Sequence, residues 1–171
     1  MHGIGDYIEY DYHGSDKHLA NDTYADVLDT IVVACVDILV ITSGSKVLLG
    51  RRARHPQKDW WLFGGRMRTG EHLTASASRL VRDELSLEIK DHARFRYLTT
   101  FAAAWKYRAH EPESNGTHTL STVFALEITE DERSRLAHNE EYDLLLEYEC
   151  NEVSNGRFHE AVKQCVAAYL G

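Results

Sequence analysis

The sequence has few cysteines, and their positions form no pattern. Cys35, Cys150 and Cys165 are odd in number and far apart, and no two of them make a Cys-x-x-Cys pair. This spacing argues against a disulfide framework and predicts reduced, structural thiols.

No hydrophobic run is long enough to span a bilayer. The longest run, TIVVACVDILVIT, falls short of the roughly 20 residues that a spanning helix needs, and Asp37 interrupts it. The opening residues, MHGIGDYIEYDYHGSDKH, lack the basic and apolar regions of a secretory signal. We therefore expect a cytoplasmic protein.

Positive charge is scarce as well, since 19 basic residues stand against 27 acidic ones and give a formal net charge of -8. This balance argues against nucleic acid and anionic membranes as partners, because both favour a broad basic surface. A local basic pocket for a small phosphate ligand stays compatible with it. At 171 residues, 43% of them hydrophobic, the chain suits one globular domain. Function is therefore expected in a pocket.

Strand and helix patterns follow one another along most of the chain. Residues 1–18 have no period and are interpreted as an N-terminal arm, mobile or a lid, which leaves 19–171 as the domain. A helix capped by Asn21 or Asp22 is expected first, then a buried strand and a hairpin into KVLLGRR. Further strands are expected in WWLFGG, FRYLTTFAAA, THTLSTVFALEI and EYDLLLEY, and helices in TEDERSRLA and GRFHEAVKQCVAAYL. The mixture predicts a sheet with helices on both faces.

One predicted helix, in the stretch GGRMRTGEHLTASASRLVRDELSLEI, places an acid in its apolar stripe. At about 100° per residue, Glu84 falls on the same side as four apolar residues, Leu73, Ala77, Leu80 and Val81. An ionised carboxylate there is costly unless it is paired or bound to a metal. The alternative is a helix-edge ion pair between Arg79 and Asp83, with Glu84 peripheral.

Two glycines precede this helix and favour the metal interpretation. Gly64 and Gly65 let backbone groups approach a ligand closely. A carbonyl oxygen from this turn and the Glu84 carboxylate are oxygen ligands of the kind that a hard divalent cation takes, with a diphosphate and water completing its shell.

The stretch resembles the signature box of the Nudix hydrolases: a Gly, five residues, a Glu, seven residues, then Arg-Glu-U-x-Glu-Glu-x-Gly-U, where U is a bulky aliphatic residue. The matching residues are Gly65, Glu71, Arg79, Val81, Glu84 and Leu87, and Asp83 replaces a Glu. Leu80 and Ser86 depart from the box, which has Glu and Gly there. The resemblance implies a Nudix-fold α/β/α sandwich with a mixed β-sheet.

Leu80 makes the chain similar to the GDP-mannose mannosyl hydrolase subgroup, as does the stretch KVLLGRRARHPQKDWWLFGGRM. This resemblance implies Mg²⁺, or Mn²⁺, held by the Gly65 carbonyl, Glu84 and His138. It also implies cleavage of the glycosyl bond in a nucleoside diphosphate sugar. Asn139 stands where the subgroup has its general-base His. His138, Glu140 or His118 would then serve instead, or hydrolysis is weak.

Further side chains are assigned to the substrate and to catalysis. Bidentate guanidinium contacts suit a diphosphate, and an aromatic ring suits a nucleobase. The candidate substrate-binding residues are Arg52, Trp60, Arg66, Trp105, Tyr107 and His118, and the candidate catalytic residues are Arg66, Arg79, Asp83, Glu84 and His138. Arg79 is expected to orient the carboxylates, and Asp83 to support the metal ligands without binding the metal itself.

Two alternatives stay open. One is cleavage at phosphorus, a pyrophosphohydrolase acting on another nucleoside diphosphate derivative. The other is an inactive nucleotide-binding module, suggested by Leu80, Ser86 and Asn139 together. By analogy with relatives, a homodimer is also expected.

Overall fold

The computed structural model describes residues 5, 7–9, 11–15 and 17–171, so the predicted arm over 1–18 lies partly outside the described residues. The strands are β1 (Val33–Thr42), β2 (Lys46–Arg52), β3 (Trp60–Trp61), β4 (Phe63–Arg66), β5 (Arg96–Trp105), β6 (Thr117–Glu127) and β7 (Tyr142–Glu149). The α-helices are α1 (Asn21–Thr30), α2 (Leu73–Leu85), α3 (Glu130–Ser134), α4 (Cys150–Asn155) and α5 (Glu160–Leu170).

All seven strands belong to one mixed sheet, as predicted. The main path runs β3-β2-β1-β6-β5, while β4 pairs with β1 and β7 pairs with β2. The β1–β6 pairing is parallel and the other pairings are antiparallel. This arrangement places the β1 strand at the centre, which explains its continuous apolar sequence.

The two faces of the sheet carry separate cores. On one face, α2 packs through Ala77, Leu80 and Val81 against β1 and β4 side chains such as Ile38 and Phe63. On the other face, residues of α4 and α5 pack against a second set of β1 and β2 side chains. The structure thus confirms the predicted α/β/α sandwich.

Helix α2 ends at Ser86, the position where the Nudix box has Gly. Ser86 adopts the left-handed conformation with φ 56°, and its amide donates to the Arg82 carbonyl. A residue with a Cβ in this conformation costs about 1–2 kcal/mol. The departure from the box is therefore tolerated at the expense of backbone strain.

Several local expectations were wrong. The N-cap of α1 is Ala20 without a side-chain cap, because Asn21 already lies inside the helix. The predicted strand WWLFGG is two strands, β3 and β4, with different partners. The predicted strand FRYLTTFAAA continues by one residue, so that Trp105 ends β5, and the sequence pattern missed α4. Within the described residues, no helix is long and apolar enough to cross a membrane.

The described end of the arm lies on the loop before α2. The Ser15 amide donates to Thr69 Oγ1 at 3.0 Å, and the Thr69 hydroxyl donates to the Ser15 carbonyl oxygen at 3.1 Å. These bonds attach residue 15 to the segment that carries Arg66 and Glu71.

Candidate active site

Glu84 points into the protein, as its helical position predicts. Its side chain is 5% exposed, and its Oε2 accepts hydrogen bonds from the Gly64 amide at 2.9 Å and the Tyr142 hydroxyl at 2.6 Å. Burial, with a contribution from the nearby Glu141 carboxylate, raises the pKa of Glu84 to about 8. No described residue forms an ion pair with it. Glu84 is therefore a buried acid with no ion-pair partner among the described residues. Of the alternative, the Arg79–Asp83 pair is present at 3.8 Å, but the peripheral position of Glu84 is wrong.

Glu71, in the loop before α2, has the opposite environment. Arg79 Nε donates to its Oε1 at 2.5 Å and Arg79 Nη2 donates to its Oε2 at 2.8 Å, and the Ser76 hydroxyl also donates to it. Burial acts to raise the pKa of Glu71, but these bonds outweigh burial and lower the pKa to about 2. Arg79 Nη2 also donates to the Arg66 carbonyl at 3.1 Å. Arg79 thus holds the loop against α2.

Asp83 has a lesser part in this network than the sequence suggested. Its carboxylate lies 3.8 Å from Arg79 Nη1 and 2.9 Å from Arg82 Nη2, and its side chain is 39% exposed. The principal partner of Arg79 is Glu71, because Glu71 receives two of its hydrogen bonds.

A cavity of about 250 Å³ opens beside the Gly64–Gly65 turn. It is lined by basic side chains, acidic side chains and aromatic rings, notably Arg52, Arg66, Arg108, His55, His110, Asp37, Glu141, Tyr24, Trp61 and Trp105. Arg52 and Glu141 form an ion pair at 3.3 Å, and both act on the pKa of Glu84. The charges of two cavity-lining residues therefore reach Glu84, although Glu84 itself does not line the cavity.

The cavity wall includes a buried acid that the sequence interpretation missed. Asp37 of β1 is 6% exposed, and burial raises its pKa to about 6, although Ser121, Arg52 and Trp61 oppose the shift. An acid inside an otherwise apolar buried strand needs compensation. The interruption of the apolar run by Asp37 was the available signal.

Unpaired donors and acceptors concentrate at this cavity. Four buried side-chain nitrogen or oxygen atoms of the described residues lack a hydrogen-bond partner. Three of them, Arg52 Nε, His55 Nδ1 and Arg108 Nη2, belong to residues that line the cavity. Buried polar groups are normally satisfied, so this concentration marks a place where a ligand would supply partners.

The predicted substrate-binding residues divide into two groups. Arg52, Arg66 and Trp105 line the cavity. Trp60, Tyr107 and His118 do not line it.

The three residues away from the cavity have other surroundings. Trp60 packs on the Tyr148 ring at 5.3 Å between centroids, because alternation in β3 gives the cavity-facing position to Trp61. Tyr107 is 41% exposed and lies 5.3 Å from the His55 ring. His118 alternates with the cavity-lining Thr117 and Thr119, so it lines a separate surface depression. The structure does not bring these three to the cavity.

His138 and Asn139 lie at the end of α2. His138 is exposed, with Nδ1 3.0 Å from the Asn139 carbonyl oxygen, and it is not among the cavity-lining residues. Asn139 Nδ2 donates to the Asp83 carbonyl at 3.3 Å, its backbone amide donates to the Glu84 carbonyl at 3.1 Å, and its Oδ1 accepts from the Glu141 amide at 2.9 Å. Asn139 thus has a structural role where the subgroup has its base, and the roles of His138 stay predictions.

A metal site made of side chains alone is not present in the described part of the chain. No group of three or more His, Cys, Asp and Glu residues there is arranged to hold an ion. Glu84 accepts a hydrogen bond from the amide of the Gly64–Gly65 turn, and the charge of Glu141 acts on its pKa, so two carboxylates and this turn are the groups that a bound ion would have to use. Such a sparse set suits Mg²⁺, which keeps several waters and binds substrate phosphates, and does not suit a closed zinc site.

Known proteins share both the sequence pattern and the fold. The sequence model described as NUDIX domain matches residues 33–164. The structure is similar to the MutT protein from Methanosarcina mazei Go1, with a TM-score of 0.63 and 14% identity over 81% of this chain and 92% of that chain. It is also similar to an Ap4A hydrolase from C. elegans, with a TM-score of 0.61 and 10% identity over 81% of this chain and 96% of that chain.

A third similar structure belongs to a longer protein. A MutT/nudix family protein from Enterococcus faecalis has a TM-score of 0.55 and 19% identity, over 69% of this chain and 44% of that chain. This chain thus spans less than half the length of that protein. At such identities the likeness shows the fold alone. The family assignment depends on the domain match, which covers most of the sequence and includes the glycine turn, α2 and the cavity strands: the chain belongs to the Nudix family of hydrolases.

Proposed function

We propose that the chain hydrolyses a nucleoside diphosphate linked to a further group, with a nucleotide sugar as the first candidate. The observation that carries this proposal is the cavity with three unpaired buried nitrogens on basic side chains, beside a buried acid that has no cation partner. A ligand rich in acceptor oxygens would satisfy those nitrogens, and aromatic walls would accommodate a ring.

The diphosphate is assigned to the end of the cavity near the glycine turn. Arg66 follows the turn directly, is exposed, and forms no ion pair with any described residue. Arg52 has an ion pair to Glu141, and its Nε is unpaired. Two guanidinium groups that line one cavity favour phosphate oxygens, which accept bidentate hydrogen bonds.

The cation proposed for this site is Mg²⁺, with Glu84, Glu141 and the Gly65 carbonyl as its protein ligands. Leu80 stands where the box has a Glu; it is 6% exposed and would contact a side chain placed at Gly65. Because this position is a leucine, α2 itself offers one inward carboxylate, that of Glu84. Glu141, directly before β7, would supply the second. When bound, the cation would neutralise charge on the leaving diphosphate.

Tyr142 and Gly64 would orient Glu84 in this proposal. Burial and the adjacent Glu84 raise the pKa of Tyr142 well above its ordinary value, so the hydroxyl stays protonated and donates to Glu84 Oε2. This leaves Oε1 as the carboxylate oxygen for the ligand. A hydrogen bond of this kind fixes the orientation of a metal ligand and so raises the affinity of the site for its metal.

Cleavage of the glycosyl bond is proposed over cleavage at phosphorus, because the chain resembles the GDP-mannose mannosyl hydrolases at Leu80. Asp37 is the additional acid–base group in the cavity, since its pKa of about 6 lies near neutrality. His138 remains an alternative base. Homodimerisation and a cytoplasmic location stay predictions.

The decisive experiment is hydrolysis in ¹⁸O-labelled water with a panel of nucleotide sugars and dinucleotides in the presence of Mg²⁺. Label in the released sugar supports glycosyl cleavage, and label in phosphate assigns the reaction to pyrophosphate hydrolysis. A parallel thermal-shift assay with nucleotides addresses the inactive-module alternative. Nucleotide stabilisation that EDTA does not change, with no product after hours, would contradict the proposed activity.

A further inference from the structure

Arg108 is a buried arginine in the loop between β5 and β6. It is 1% exposed, although it lies in a polar segment where arginine is normally solvated. Its Nη1 lies 2.5 Å from Asp29 Oδ1 on α1, and its Nε donates to the His110 carbonyl at 3.0 Å. Asn115 Nδ2 donates to the second Asp29 oxygen at 2.9 Å. The loop is therefore fixed to α1 before any ligand binds.

The remaining nitrogen of this guanidinium, Nη2, has no such role. It is buried, no described residue accepts a hydrogen bond from it, and Arg108 lines the cavity. Leaving a buried donor of a charged group unpaired is unfavourable, and the rest of the guanidinium is held in place by Asp29 and His110. The geometry therefore presents a fixed, unused donor to whatever fills the cavity.

The charge on Arg108 indicates the kind of acceptor. Asp29 already neutralises the guanidinium, and the pKa of Asp29 is lowered chiefly by its hydrogen bonds to Arg108 and Asn115. A second anion at Nη2 would have to be bound without a spare positive charge. A neutral carbonyl oxygen satisfies the donor without adding charge.

Arg108 reaches the proposed phosphate end only through a chain of contacts. Arg108 binds the carbonyl of His110, the His110 ring lies 4.8 Å from the Tyr24 ring in an edge contact, and the Arg66 guanidinium lies 4.6 Å from the Tyr24 centroid. Trp105 lines the same cavity and is an aromatic surface for a flat ring. The Arg108 end is therefore suited to the base of a nucleotide whose phosphates meet Arg66.

We propose that Arg108 Nη2 donates to an exocyclic oxygen of the nucleobase, so that the cavity selects an oxo-bearing base over adenine. This inference rests on the proposed function, because it requires a nucleotide in the cavity. Adenine carries an amino group where hypoxanthine carries an oxygen. Two donors would then face each other across the contact, and neither would be satisfied.

The test compares inosine diphosphate with ADP, since the two bases differ at this position. Binding of each to the full chain with Mg²⁺ is measured by isothermal titration calorimetry. We expect inosine diphosphate to bind about tenfold more tightly or better, as for the loss of one hydrogen bond from a charged donor. In Arg108→Met, which removes the donor and keeps apolar volume, the ratio is expected to fall to about twofold or less.

Asp29→Asn is the matched control. It weakens the same attachment of the loop to α1 but leaves Nη2 in place, so a merely structural role predicts the same result as Arg108→Met. Our inference predicts weaker binding of both nucleotides with their ratio preserved. Inorganic pyrophosphate is the third probe, and Arg108→Met should bind it as the wild type does.

The outcomes separate this inference from the proposed function. Equal wild-type affinity for the two nucleotides, or an unchanged ratio in Arg108→Met, overturns the role of Arg108 alone. Loss of pyrophosphate binding in Arg108→Met assigns Nη2 to phosphate and also overturns it. Absence of any nucleotide binding by the wild type defeats the proposed function instead. If circular dichroism reveals that Arg108→Met is unfolded, Arg108→Lys, which keeps a cation beside Asp29, replaces it with the same expectation of a reduced ratio.

Discussion

Glu71 and Glu84 are carboxylates at opposite ends of the loop and helix that form the Nudix box, and their environments differ sharply. Glu71 has Arg79, Ser76 and a backbone amide as donors, and its pKa is about 2. Glu84 has the Gly64 amide and the Tyr142 hydroxyl but no cation, and its pKa is about 8. The difference indicates that the protein supplies the charge partner of Glu71, whereas Glu84 has no ion-pair partner among the described residues and is available to the proposed cation.

The largest expected effect comes from Glu84→Gln. Glutamine keeps an oxygen that accepts from Gly64 and Tyr142 but loses the negative charge, so the fold should persist. We expect Mg²⁺-dependent turnover to fall by about a hundredfold or more, as for loss of a metal ligand. Initial rates over a range of Mg²⁺ concentrations measure this.

Glu88→Gln, at an exposed position shortly after α2, is the matched control and should turn over normally. Full activity in Glu84→Gln would remove the proposed metal site.

The next largest effect is expected at Glu71, the carboxylate that Arg79 binds. Glu71→Gln removes the charge that Arg79 binds, and both side chains are mostly buried, with exposed fractions of 18% and 11%. We expect the free energy of unfolding to fall by roughly 2–3 kcal/mol, because a partly buried cation loses its partner. Urea denaturation measures it, and a change smaller than that of an exposed ion pair would contradict the assignment.

The two acids should also give opposite pH dependences. The pKa of Glu71 is depressed, so its stabilisation is present above its ordinary value of 4.5 and is lost as the pH falls towards about 2. The pKa of Glu84 is raised, so its contribution is fully present below 4.5 and is lost as the pH rises through about 8. In the proposed metal site the ionised form of Glu84 would be the ligand, so Mg²⁺ affinity should rise with pH up to about 8.

Melting temperatures in EDTA between pH 5 and 9 check the second half of this prediction. Wild type should lose stability relative to Glu84→Gln across that range. Parallel curves for the two proteins would mean that Glu84 is not protonated in the metal-free fold.

The smallest effect is expected at Ser86, which ends the same helix in the left-handed conformation. Ser86→Gly should stabilise the protein by about 1 kcal/mol, because glycine adopts this conformation without the Cβ penalty. Ser86→Ala retains the Cβ and serves as the control, with no gain expected. Equal stability of the two variants would indicate that the strain is relieved elsewhere.

The sequence predicted best where a periodic pattern determined the outcome. The inward position of Glu84 follows from helical spacing within α2, and the buried β1 strand follows from its apolar run. The partners of Glu84 did not follow, because Tyr142 is 58 positions away in the sequence and its approach depends on how β7 pairs with β2.

Side chains in loops and very short strands were the least predictable. Trp60 and Trp61 are chemically alike, and only the pairing of a two-residue strand decides which one faces the cavity. Arg108 lies in a polar loop, and nothing local indicates that Asp29 of α1 would bury it. Asp37 is the exception, because a charge within a buried strand was visible from the start.

Asn139 limits which side chains position 139 can accept, including the histidine that the GDP-mannose mannosyl hydrolases have there. Its side-chain amide donates to the Asp83 carbonyl in the last turn of α2 and accepts from the amide of Glu141. A histidine has one nitrogen, Nδ1, and one carbon, Cδ2, where asparagine has its oxygen and nitrogen, so it could make only one of these two contacts. Asn139→His would add a proton acceptor but would weaken the link between α2, which carries the proposed ligand Glu84, and the segment before β7, which carries Glu141. A histidine here would therefore need a second substitution that restores the lost contact.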